Sequence, residues 1–459
     1  MNLKDRRVLV VGLGKSGLAA AHFLRSKGAH LTVSDKRSAE ALAAQLPTWA
    51  DDGIVLQSGG HDGATFVKQD LIVVSPGVPM DTPELMHAME AGVPVIGELE
   101  FASHFIHGKI LAITGANGKT TTTALIGEIL KAAEIPTLVG GNIGVPLIAL
   151  VGDSTDQTWS VLEVSSFQLE STVDFHPQIA VILNITPDHL DRHGTFENYA
   201  LTKELIFRQQ GRGDSLVLNA DNARTADAAQ RATADIYWFS AQHAVDRGAW
   251  VASGDVLFCS GPDQPAETIM DAGAIPIKGQ HNVENVLAAV CAARLVGVSA
   301  DVICKAVTAF KAVEHRLEYV ATVGGVAFYN DSKATNVDAT AKAIGAFDSG
   351  VHLILGGKDK NSNYAELTSL LQERVRAVYT IGAAAAKIES QLAGIVPMHS
   401  CGTLASAVQA AMAQAKSGDV IVLAPACSSF DQFDSYEHRG RVFKELVHQI
   451  ADRKACQNV

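Results

Sequence analysis

The sequence is poor in cysteine and contains no long apolar run. Its six cysteines are scattered over 459 residues and form no Cys-x-x-Cys pair. This pattern argues against a disulfide framework or a cysteine zinc site, and it is typical of a reducing cytoplasm. No uninterrupted apolar run reaches the about 18 residues that a transmembrane helix needs. We therefore expect a cytoplasmic protein without a membrane span.

Positive charge is also scarce. Lysine and arginine total 37 residues against 49 of aspartate and glutamate, which gives a net charge of −12. This balance argues against nucleic acid or an anionic membrane as the main partner, so any anion site must be local. The composition, 47% hydrophobic and 19% charged, is that of a globular protein. A chain of this length exceeds one hydrophobic core and predicts roughly three domains.

The most informative segment reads AITGANGKTTTT over residues 112–123. The apolar run Ile110–Ile113 predicts a buried strand, and the apolar-periodic run Leu125–Leu130 predicts a helix. Gly115 and Gly118 stand between them, where the missing side chains let backbone N–H groups approach a polyphosphate. This order of strand, glycine loop and helix predicts a phosphate-binding loop, or P-loop.

Two side chains complete the predicted P-loop. Lys119 can reach the β- and γ-phosphates of a nucleotide, and the Thr120 hydroxyl can ligate Mg²⁺. The usual eight-residue motif has a glycine where Ile113 stands, so this loop is a short variant. The alternative is a glycine-rich turn with a solvated lysine.

The first 35 residues predict a second nucleotide-type site. In order they give a strand, a Gly-x-Gly-x-x-Gly turn, a helix, a second strand and an acid: Val8–Val11, Gly12 to Gly17, Leu18–Ser26, His30–Ser34 and Asp35. This is the order of a dinucleotide-binding βαβ unit. A tight packing turn remains the alternative. A later strand, Asp70–Val74, ends at Ser75-Pro76-Gly77 on the same edge of the sheet.

The whole chain reads as α/β, in three blocks of alternating strands and helices. We predict an N-terminal Rossmann-like domain over 1–97, a central P-loop ATPase-type domain over 98–313 and a C-terminal Rossmann-like domain over 314–459. The apolar runs predict largely parallel sheets covered on both faces. Further strands are predicted at Ser160–Val164, Ile179–Leu183, Leu216–Leu218, Val326–Tyr329, His352–Leu355, Val378–Ile381 and Val420–Ala424. Residues 242–268 are polar and predict no regular element.

Chemically useful side chains follow the strands of the central block. Glu163 lies inside the apolar run Val161–Val164, and burying its carboxylate is costly unless it binds a cation. Residues 188–193 hold two histidines and two aspartates, which indicates either a metal cluster or a solvated turn. Lys203 has the composition of an ordinary lysine on a helix surface.

Seven features in order resemble the ATP-dependent Mur ligases, amide-forming enzymes of bacterial peptidoglycan precursor synthesis. They are TGANGKTT, LEVSSFQL, NITPDHLDRH, the isolated Lys203, GQHNVEN, HRLE and NDSKATN. The N-terminal GLGKSG with Asp35, SPG at 75–77 and APACSSFDQFDSYE at 424–437 are most similar to members that add D-glutamate to UDP-N-acetylmuramoyl-L-alanine. The resemblance covers essentially the whole chain.

The resemblance implies that ATP converts a carboxylate to an acyl phosphate, which the amino group of D-glutamate then attacks. The catalytic residues it implies are Lys119, Glu163, His189, Lys203 and Arg316. Thr120 and Glu163 would hold one Mg²⁺, and His189 and Lys203 a second. Lys203 would be carbamylated (N6-carboxylysine), because an ammonium is no metal ligand.

The resemblance also implies three substrate sites. The ATP site comprises Gly115, Ala116, Asn117, Gly118, Lys119, Thr120, Thr121, Asn285, Arg316 and Asp331. The UDP-sugar site comprises Gly14, Lys15, Ser16, Asp35, Lys36, Ser75, Gly77, Asn142 and His189. The D-glutamate site comprises Lys333, Thr335, Ser429 and Phe430. We expect a monomer.

Two other classes of enzyme stay open on the sequence. A carboxylate–amine ligase resembling folylpolyglutamate synthetase shares the P-loop but should lack the N-terminal GLGKSG domain. An NAD-dependent dehydrogenase would explain Gly12 to Gly17 and Asp35, yet it leaves the P-loop, Glu163 and His189 without a role.

Overall fold

The computed structural model describes residues 1–43 and 53–457. It has three separate sheets of five, nine and six strands, which follow one another along the chain. The α/β fold class is thereby confirmed. We refer to the first, central and third regions by these sheets.

The first region is a fully parallel sheet in the order β3-β2-β1-β4-β5. Its strands are β1 (Arg7–Val11), β2 (His30–Asp35), β3 (Val55–Ser58), β4 (Leu71–Val74) and β5 (Val95–Gly97). Its helices are α1 (Lys15–Ser26), α2 (Ala39–Ala43), α3 (Gly63–Phe66) and α4 (Pro83–Glu90). A Cβ on Gly17 would lie 1.8 Å from the Gly12 carbonyl oxygen. The tight turn between β1 and α1 therefore requires this glycine.

The central sheet has the order β14-β13-β12-β11-β10-β9-β6-β8-β7. Its strands are β6 (Lys109–Thr114), β7 (Thr137–Gly141), β8 (Trp159–Glu163), β9 (Ile179–Ile182), β10 (Ser215–Asn219), β11 (Asp235–Ser240), β12 (Gly248–Ala252), β13 (Asp255–Cys259) and β14 (Glu267–Asp271). Strands from β7 to β12 are parallel, whereas β12, β13 and β14 pair antiparallel. The expectation that residues 242–268 form no regular element is wrong, because they extend the sheet.

The central helices surround this sheet. After α5 (Glu98–Ser103) come α6 (Lys119–Ala132), α7 (Leu147–Leu150), α8 (Ser166–Leu169), α9 (Leu190–His193), α10 (Phe196–Glu204), α11 (Ala223–Ala228), α12 (Gln280–Val296) and α13 (Ala300–Ala309). Helix α6 follows β6 directly and packs against α12 and α13. Because β6 lies between β8 and β9, the loops after all three strands meet at one sheet edge.

The third sheet has the order β15-β16-β20-β17-β18-β19, with β15 antiparallel to β16. Its strands are β15 (Glu318–Val323), β16 (Val326–Asn330), β17 (Val351–Gly356), β18 (Val375–Ile381), β19 (Met398–Gly402) and β20 (Val420–Leu423). Its helices are α14 (Val337–Gly345), α15 (Thr368–Arg374), α16 (Ala385–Gln391), α17 (Leu404–Gln414) and α18 (Tyr436–Gln457).

Hydrophobic packing joins the first and central regions. One buried cluster contains Val10 of β1, Leu99 and Phe101 of α5, Ala112 of β6 and Ile182 of β9. The third region has its own cores on the two faces of its sheet. Glu98 also accepts a hydrogen bond from the Ile148 amide at 2.9 Å. The predicted limit at residue 97 thus lies in a packed junction, and the domain limits stay a prediction.

Two sequence expectations concern absences. Within residues 1–43 and 53–457, no helix combines the length and apolar character needed to cross a membrane. The five cysteines whose side chains the structure describes are free thiols.

Candidate active site

The loop between β6 and α6 has the geometry expected of a P-loop. Gly115 and Gly118 have φ angles of +154° and +90°. A Cβ on Gly118 would lie 2.2 Å from Oδ1 of Asn285, so a side chain has no room there. The Lys119 ammonium folds back over the loop and donates to the carbonyls of Gly115 and Ala116 at 2.8 and 2.9 Å. Burial lowers the pKa of Lys119, and the nearby Glu163 opposes this shift.

Asn184, at the end of β9, fixes the P-loop from one side. Its Oδ1 accepts from the Asn117 amide at 2.9 Å, and its Nδ2 donates to the Asn117 carbonyl at 3.0 Å. The Ala116 amide donates to the Asn184 carbonyl at 3.0 Å. Asn184 is not among the predicted site residues. It holds the loop in shape through three hydrogen bonds.

Glu163 lies at the end of β8 beside the P-loop hydroxyl. Its side chain is 1% exposed. Thr120 Oγ1 donates to Glu163 Oε2 at 2.7 Å, and Asn142 Nδ2 donates to Oε1 at 2.8 Å. Burial raises the pKa of Glu163, but Lys333 and Lys119 together outweigh this effect and leave the pKa below its usual value. A charged carboxylate next to a hydroxyl is a donor set that suits Mg²⁺.

Two cations of the third region reach the same hydroxyl. Arg316 and Lys333 donate to Thr120 Oγ1 at 3.1 and 2.7 Å. The Lys333 ammonium also lies 5.1 Å from the centroid of the Tyr436 ring. Burial, with Arg316 nearby, lowers the pKa of Lys333 to about 7. The third region therefore brings positive charge to the P-loop.

Lys203 is buried rather than on a helix surface, so the interpretation from composition is wrong. Its side chain is 1% exposed, and its Nζ donates to the Gly115 carbonyl at 2.9 Å. The same carbonyl accepts from Lys119, so two lysine side chains converge on one oxygen. Burial and then Lys119 lower the pKa of Lys203 well below its usual value. The site therefore favours a neutral amine at Lys203.

His189 immediately precedes α9 and has a left-handed backbone, φ +53°. Its Nε2 lies 3.6 Å from Asp188 Oδ2, and burial lowers its pKa. A neutral imidazole can ligate a metal ion. The neighbouring His193 is buried and within hydrogen-bond distance of Ser166 Oγ, at 3.0 Å. Of the predicted cluster, Asp188 and His189 face the interior of the site, near Lys203 and Lys119.

A small pocket opens beside the P-loop. Six predicted ATP-site residues line it: Asn117, Gly118, Thr121, Asn285, Arg316 and Asp331. His281, Asn282 and Lys342 line it as well and are not among the predicted site residues. Burial raises the pKa of Asp331 to about 6 and lowers that of His281 to about 4.

A second, open cavity joins all three regions. The predicted residues that line it are Gly14, Lys15, Ser16, Asp35, Ser75, Gly77, Thr120, Asn142 and Lys333. Lys36 and His189 are not part of this lining. His189 instead lines a neighbouring cavity with Asp188 and Lys360. A substrate bound near Asp35 could therefore extend to the P-loop and to Lys333.

The third region contributes a different aromatic side chain from the one predicted. Ser429 is 2% exposed, whereas Phe430 is 68% exposed and does not line the cavity. Tyr436 lines it beside Lys333. Both aromatics lie in one motif, and the sequence does not distinguish which of them faces inward.

Arg439 of α18 holds the third-region loops together. The side chain is fully buried. It donates to Ser332 Oγ at 3.0 Å, to the Ser332 carbonyl at 2.7 Å and to the Cys427 carbonyl at 3.2 Å. These bonds tie the loop before Lys333 to the loop before Ser429. An arginine in an amphipathic helix normally indicates a surface, so sequence reasoning missed it.

Comparison with protein families matches most of the chain. The matching models are the Mur ligase MurD-like N-terminal domain over residues 6–97, the Mur ligase middle domain over 113–293 and the Mur ligase glutamate ligase domain over 315–427. The chain belongs to the Mur ligase family. This membership confirms the resemblance and leaves the dehydrogenase interpretation without support.

Full-length relatives carry one name. A UDP-N-acetylmuramoylalanine–D-glutamate ligase of Acidobacterium capsulatum is 61% identical over 100% of this chain and 99% of its own length. The enzyme of that name from Koribacter versatilis is 56% identical over 99% of this chain and 100% of its own.

Solved structures share the fold at lower identity. A pseudomurein peptide ligase type C of Methanothermus fervidus has a TM-score of 0.61 at 19% identity, over 97% of this chain and 100% of that one. A UDP-N-acetylmuramate–alanine ligase of Thermotoga maritima has 0.60 at 18%, over 97% and 99%. Both support the three-region Mur ligase fold.

Asp35 is anchored within the first region of this Mur ligase. Its carboxylate accepts from the Leu13 amide at 2.7 Å and from the Arg37 guanidinium at 2.9 and 3.0 Å. Burial raises the pKa of Asp35, but Arg37 outweighs burial and lowers it to about 2. Asp35 is therefore charged at neutral pH where it lines the cavity.

If this cavity takes the UDP-sugar that the resemblance implies, Asp35→Ala should weaken its binding about 10- to 150-fold, the cost of one charged hydrogen bond of about 1.5–3 kcal/mol. Calorimetric titration with the UDP-sugar measures this. Asp70→Ala is the matched control, since Asp70 pairs with Arg7 at 2.7 Å in the same sheet, outside the cavity. Tight NAD binding by the wild type, or unchanged affinity in Asp35→Ala, would contradict the assignment.

Proposed function

We propose that this chain joins D-glutamate to UDP-N-acetylmuramoyl-L-alanine in an ATP-dependent amide ligation within peptidoglycan precursor synthesis. One observation carries the proposal. A single cavity has Asp35 of the first region, Thr120 of the P-loop and Lys333 with Tyr436 of the third region in its lining. Such a cavity suits a long nucleotide-sugar donor whose carboxylate must meet both ATP and an amine. The name shared by the full-length relatives supports the same reaction.

The residues around the P-loop suit ATP with Mg²⁺. Thr120 and Glu163 would hold one Mg²⁺, since a hydroxyl and a charged carboxylate lie 2.7 Å apart there. Bound Mg²⁺ would neutralise phosphate charge. Lys119 and Arg316 are the cations available for the γ-phosphate, and Asn285 and Asp331 belong to the pocket that would take the adenosine.

His189 and Lys203 would hold a second Mg²⁺, provided that Lys203 is carbamylated. The amine of Lys203 adds to CO₂ and releases a proton, which leaves a carboxylate at the end of the side chain. The lowered pKa of Lys203 supports this, because only a neutral amine adds to CO₂. The lowered pKa of His189 leaves its ring nitrogen free to coordinate.

The reaction proceeds in two transfers. The donor carboxylate attacks the γ-phosphorus of ATP, and ADP leaves. The amino group of D-glutamate then attacks the acyl carbon, loses a proton, and phosphate departs from the tetrahedral intermediate. Lys119 and Arg316 stabilise negative charge on the transferred group, because fixed cations act strongly in a site with little water.

The acceptor would bind against the third region. Lys333, Thr335 and Ser429 are the predicted residues there, and Tyr436 replaces Phe430 in our assignment. Lys360 adds a cation to the cavity that His189 lines, and it suits a carboxylate of D-glutamate. A monomer in the cytoplasm remains our prediction for the protein as a whole.

Phosphate release with purified protein tests the proposal. ATP and UDP-N-acetylmuramoyl-L-alanine are supplied with D-glutamate, and then with L-glutamate, D-aspartate or no amino acid. We expect phosphate release and a new amide product only when D-glutamate is the amino acid supplied. Equal release with L-glutamate, or none with any acceptor, would refute the proposed function.

A further inference from the structure

One carboxylate oxygen of the third region collects three donors. Asp338, in the first turn of α14, accepts through Oδ2 from Asn117 Nδ2 at 2.5 Å and from Thr186 Oγ1 at 3.1 Å. Lys342 Nζ, one turn further along α14, lies 3.1 Å from the same oxygen. Asn117 belongs to the P-loop, and Thr186 to the loop after β9. Asp338 therefore connects the third region to two loops of the central region.

Each donor is placed to affect phosphoryl transfer. The main-chain N–H and carbonyl of Asn117 are both hydrogen-bonded to the side-chain amide of Asn184. The side-chain Nδ2 of Asn117 donates instead to Asp338. Thr186 precedes His189 by three residues. Lys342 lines the pocket beside the P-loop together with Asn117. A shift of Asp338 would thus be transmitted to the P-loop, to the His189 loop and to the nucleotide pocket.

A second contact docks the same end of α14. Asn336 Nδ2 donates to Asp188 Oδ2 at 3.0 Å, while Asn336 Oδ1 caps α14 by accepting from the Ala339 amide at 2.8 Å. The contacts of Asp338 and Asn336 are polar and lie between regions whose hydrophobic cores are separate. Polar contacts at a partly exposed interface can form and break at modest cost, which suits a reversible docking point.

We infer that Asp338 is a positioning residue that makes P-loop geometry depend on docking of the third region. When α14 packs against the central region, Asp338 accepts a hydrogen bond from Asn117 and so fixes that side chain of the P-loop. Arg316 and Lys333, the two cations that donate to Thr120, belong to the same third region. Docking of this region therefore determines both the positive charge beside Thr120 and the shape of the P-loop. The inference rests on the proposed function, because it concerns ATP-dependent transfer.

Asp338→Ala is expected to lower kcat/KM for ATP about ten- to a hundredfold, since it removes charge-assisted hydrogen bonds to Asn117 and Thr186. Asp338→Asn keeps an acceptor oxygen for Asn117 and should recover most of the activity. Asp301→Ala is the matched control, because Asp301 is the second residue of α13, as Asp338 is of α14, and lies outside the cavities described above. This control should change neither activity nor thermal midpoint appreciably.

A double-mutant cycle separates positioning from folding. Asn117→Ala and Asp338→Ala, alone and combined, are assayed for phosphate release and for thermal midpoint. We expect the double variant to lose no more activity than the more impaired of the two single variants, because both substitutions remove the same hydrogen bond between Asn117 and Asp338. Additive losses, an Asp338→Asn variant as impaired as alanine, or Asp338→Ala within twofold of wild type would overturn the inference. The same assay measures whether phosphate release by the wild type requires D-glutamate. This result tests the proposed function independently of Asp338.

Discussion

Replacing Lys119 by alanine is expected to reduce ATP-dependent phosphate release about 10²–10³-fold, a barrier increase of about 2.7–4 kcal/mol. The Lys119 ammonium lies over the P-loop and donates to the carbonyls of Gly115 and Ala116 at 2.8 and 2.9 Å. Phosphoryl transfer depends mainly on positioning and on charge stabilisation, so its loss should fall on the chemical step. Phosphate release under saturating ATP measures the change in kcat.

The affinity for the UDP-sugar should change little in Lys119→Ala, because Lys119 does not line the cavity that contains Asp35. Lys131→Ala is the matched control, since Lys131 is an exposed lysine of the same helix paired with Glu128 at 3.1 Å. It should leave both activity and UDP-sugar affinity unchanged. Activity of Lys119→Ala within about tenfold of wild type, roughly 1.4 kcal/mol, would remove Lys119 from its proposed role.

The strands that sequence predicts best are those buried on both faces. Val8–Val11, Ile110–Ile113 and Ile179–Leu183 coincide with β1, β6 and β9 because each is a continuous apolar run. Parallel sheets covered by helices produce this pattern. Their loops were predictable for a related reason, since glycines at tight turns leave a clear spacing in the sequence.

Strands at the sheet edge were missed. β12 and β13 lie within residues 242–268, where short apolar stretches are separated by polar residues and turn formers. β12 pairs parallel with β11, and β13 pairs antiparallel with β14. These pairings depend on contacts between separate segments, which local patterns do not encode.

The same distinction applies to the candidate site: residues in local sequence motifs were predictable, and residues whose partners are distant in sequence were not. The P-loop and Glu163 were predictable because a motif and a carboxylate in an apolar strand each imply a ligand. Arg439 and Asn184 were not, because their partners are carbonyls and amides of other segments. The inward turn of Tyr436 rather than Phe430 depends on how α18 begins, which the motif leaves open.

Lys203 gives the sharpest contrast between composition and structure. Its Nζ is buried against the Gly115 carbonyl and lies 4.6 Å from the centroid of the Tyr199 ring. Burial and Lys119 both disfavour the charged form, and Asp188 and Glu163 oppose them without reversing the shift. A lysine held in this way is positioned to react as a neutral amine.

Replacing Lys203 by alanine is therefore expected to abolish nearly all ligation, about 10²-fold or more, because the proposed carbamate and the metal ligand that its carboxylate provides would be lost. Short carboxylic acids such as acetate or propionate should restore part of the activity by placing a carboxylate in the vacated space. Phosphate release is measured against acid concentration, with sodium chloride at equal ionic strength as the control.

Lys203→Arg distinguishes rescue by a carboxylate from a general effect of the added salt. The arginine side chain keeps its bulk and its charge, since its pKa is too high for a neutral form in a protein. Acetate should therefore fail to rescue this variant while it rescues Lys203→Ala. If Lys203→Ala kept full activity, Lys203 would serve packing alone, and the second metal site would lose one of its two proposed protein ligands. If acetate raised the activity of both variants equally, the carbamate would not be the group it replaces.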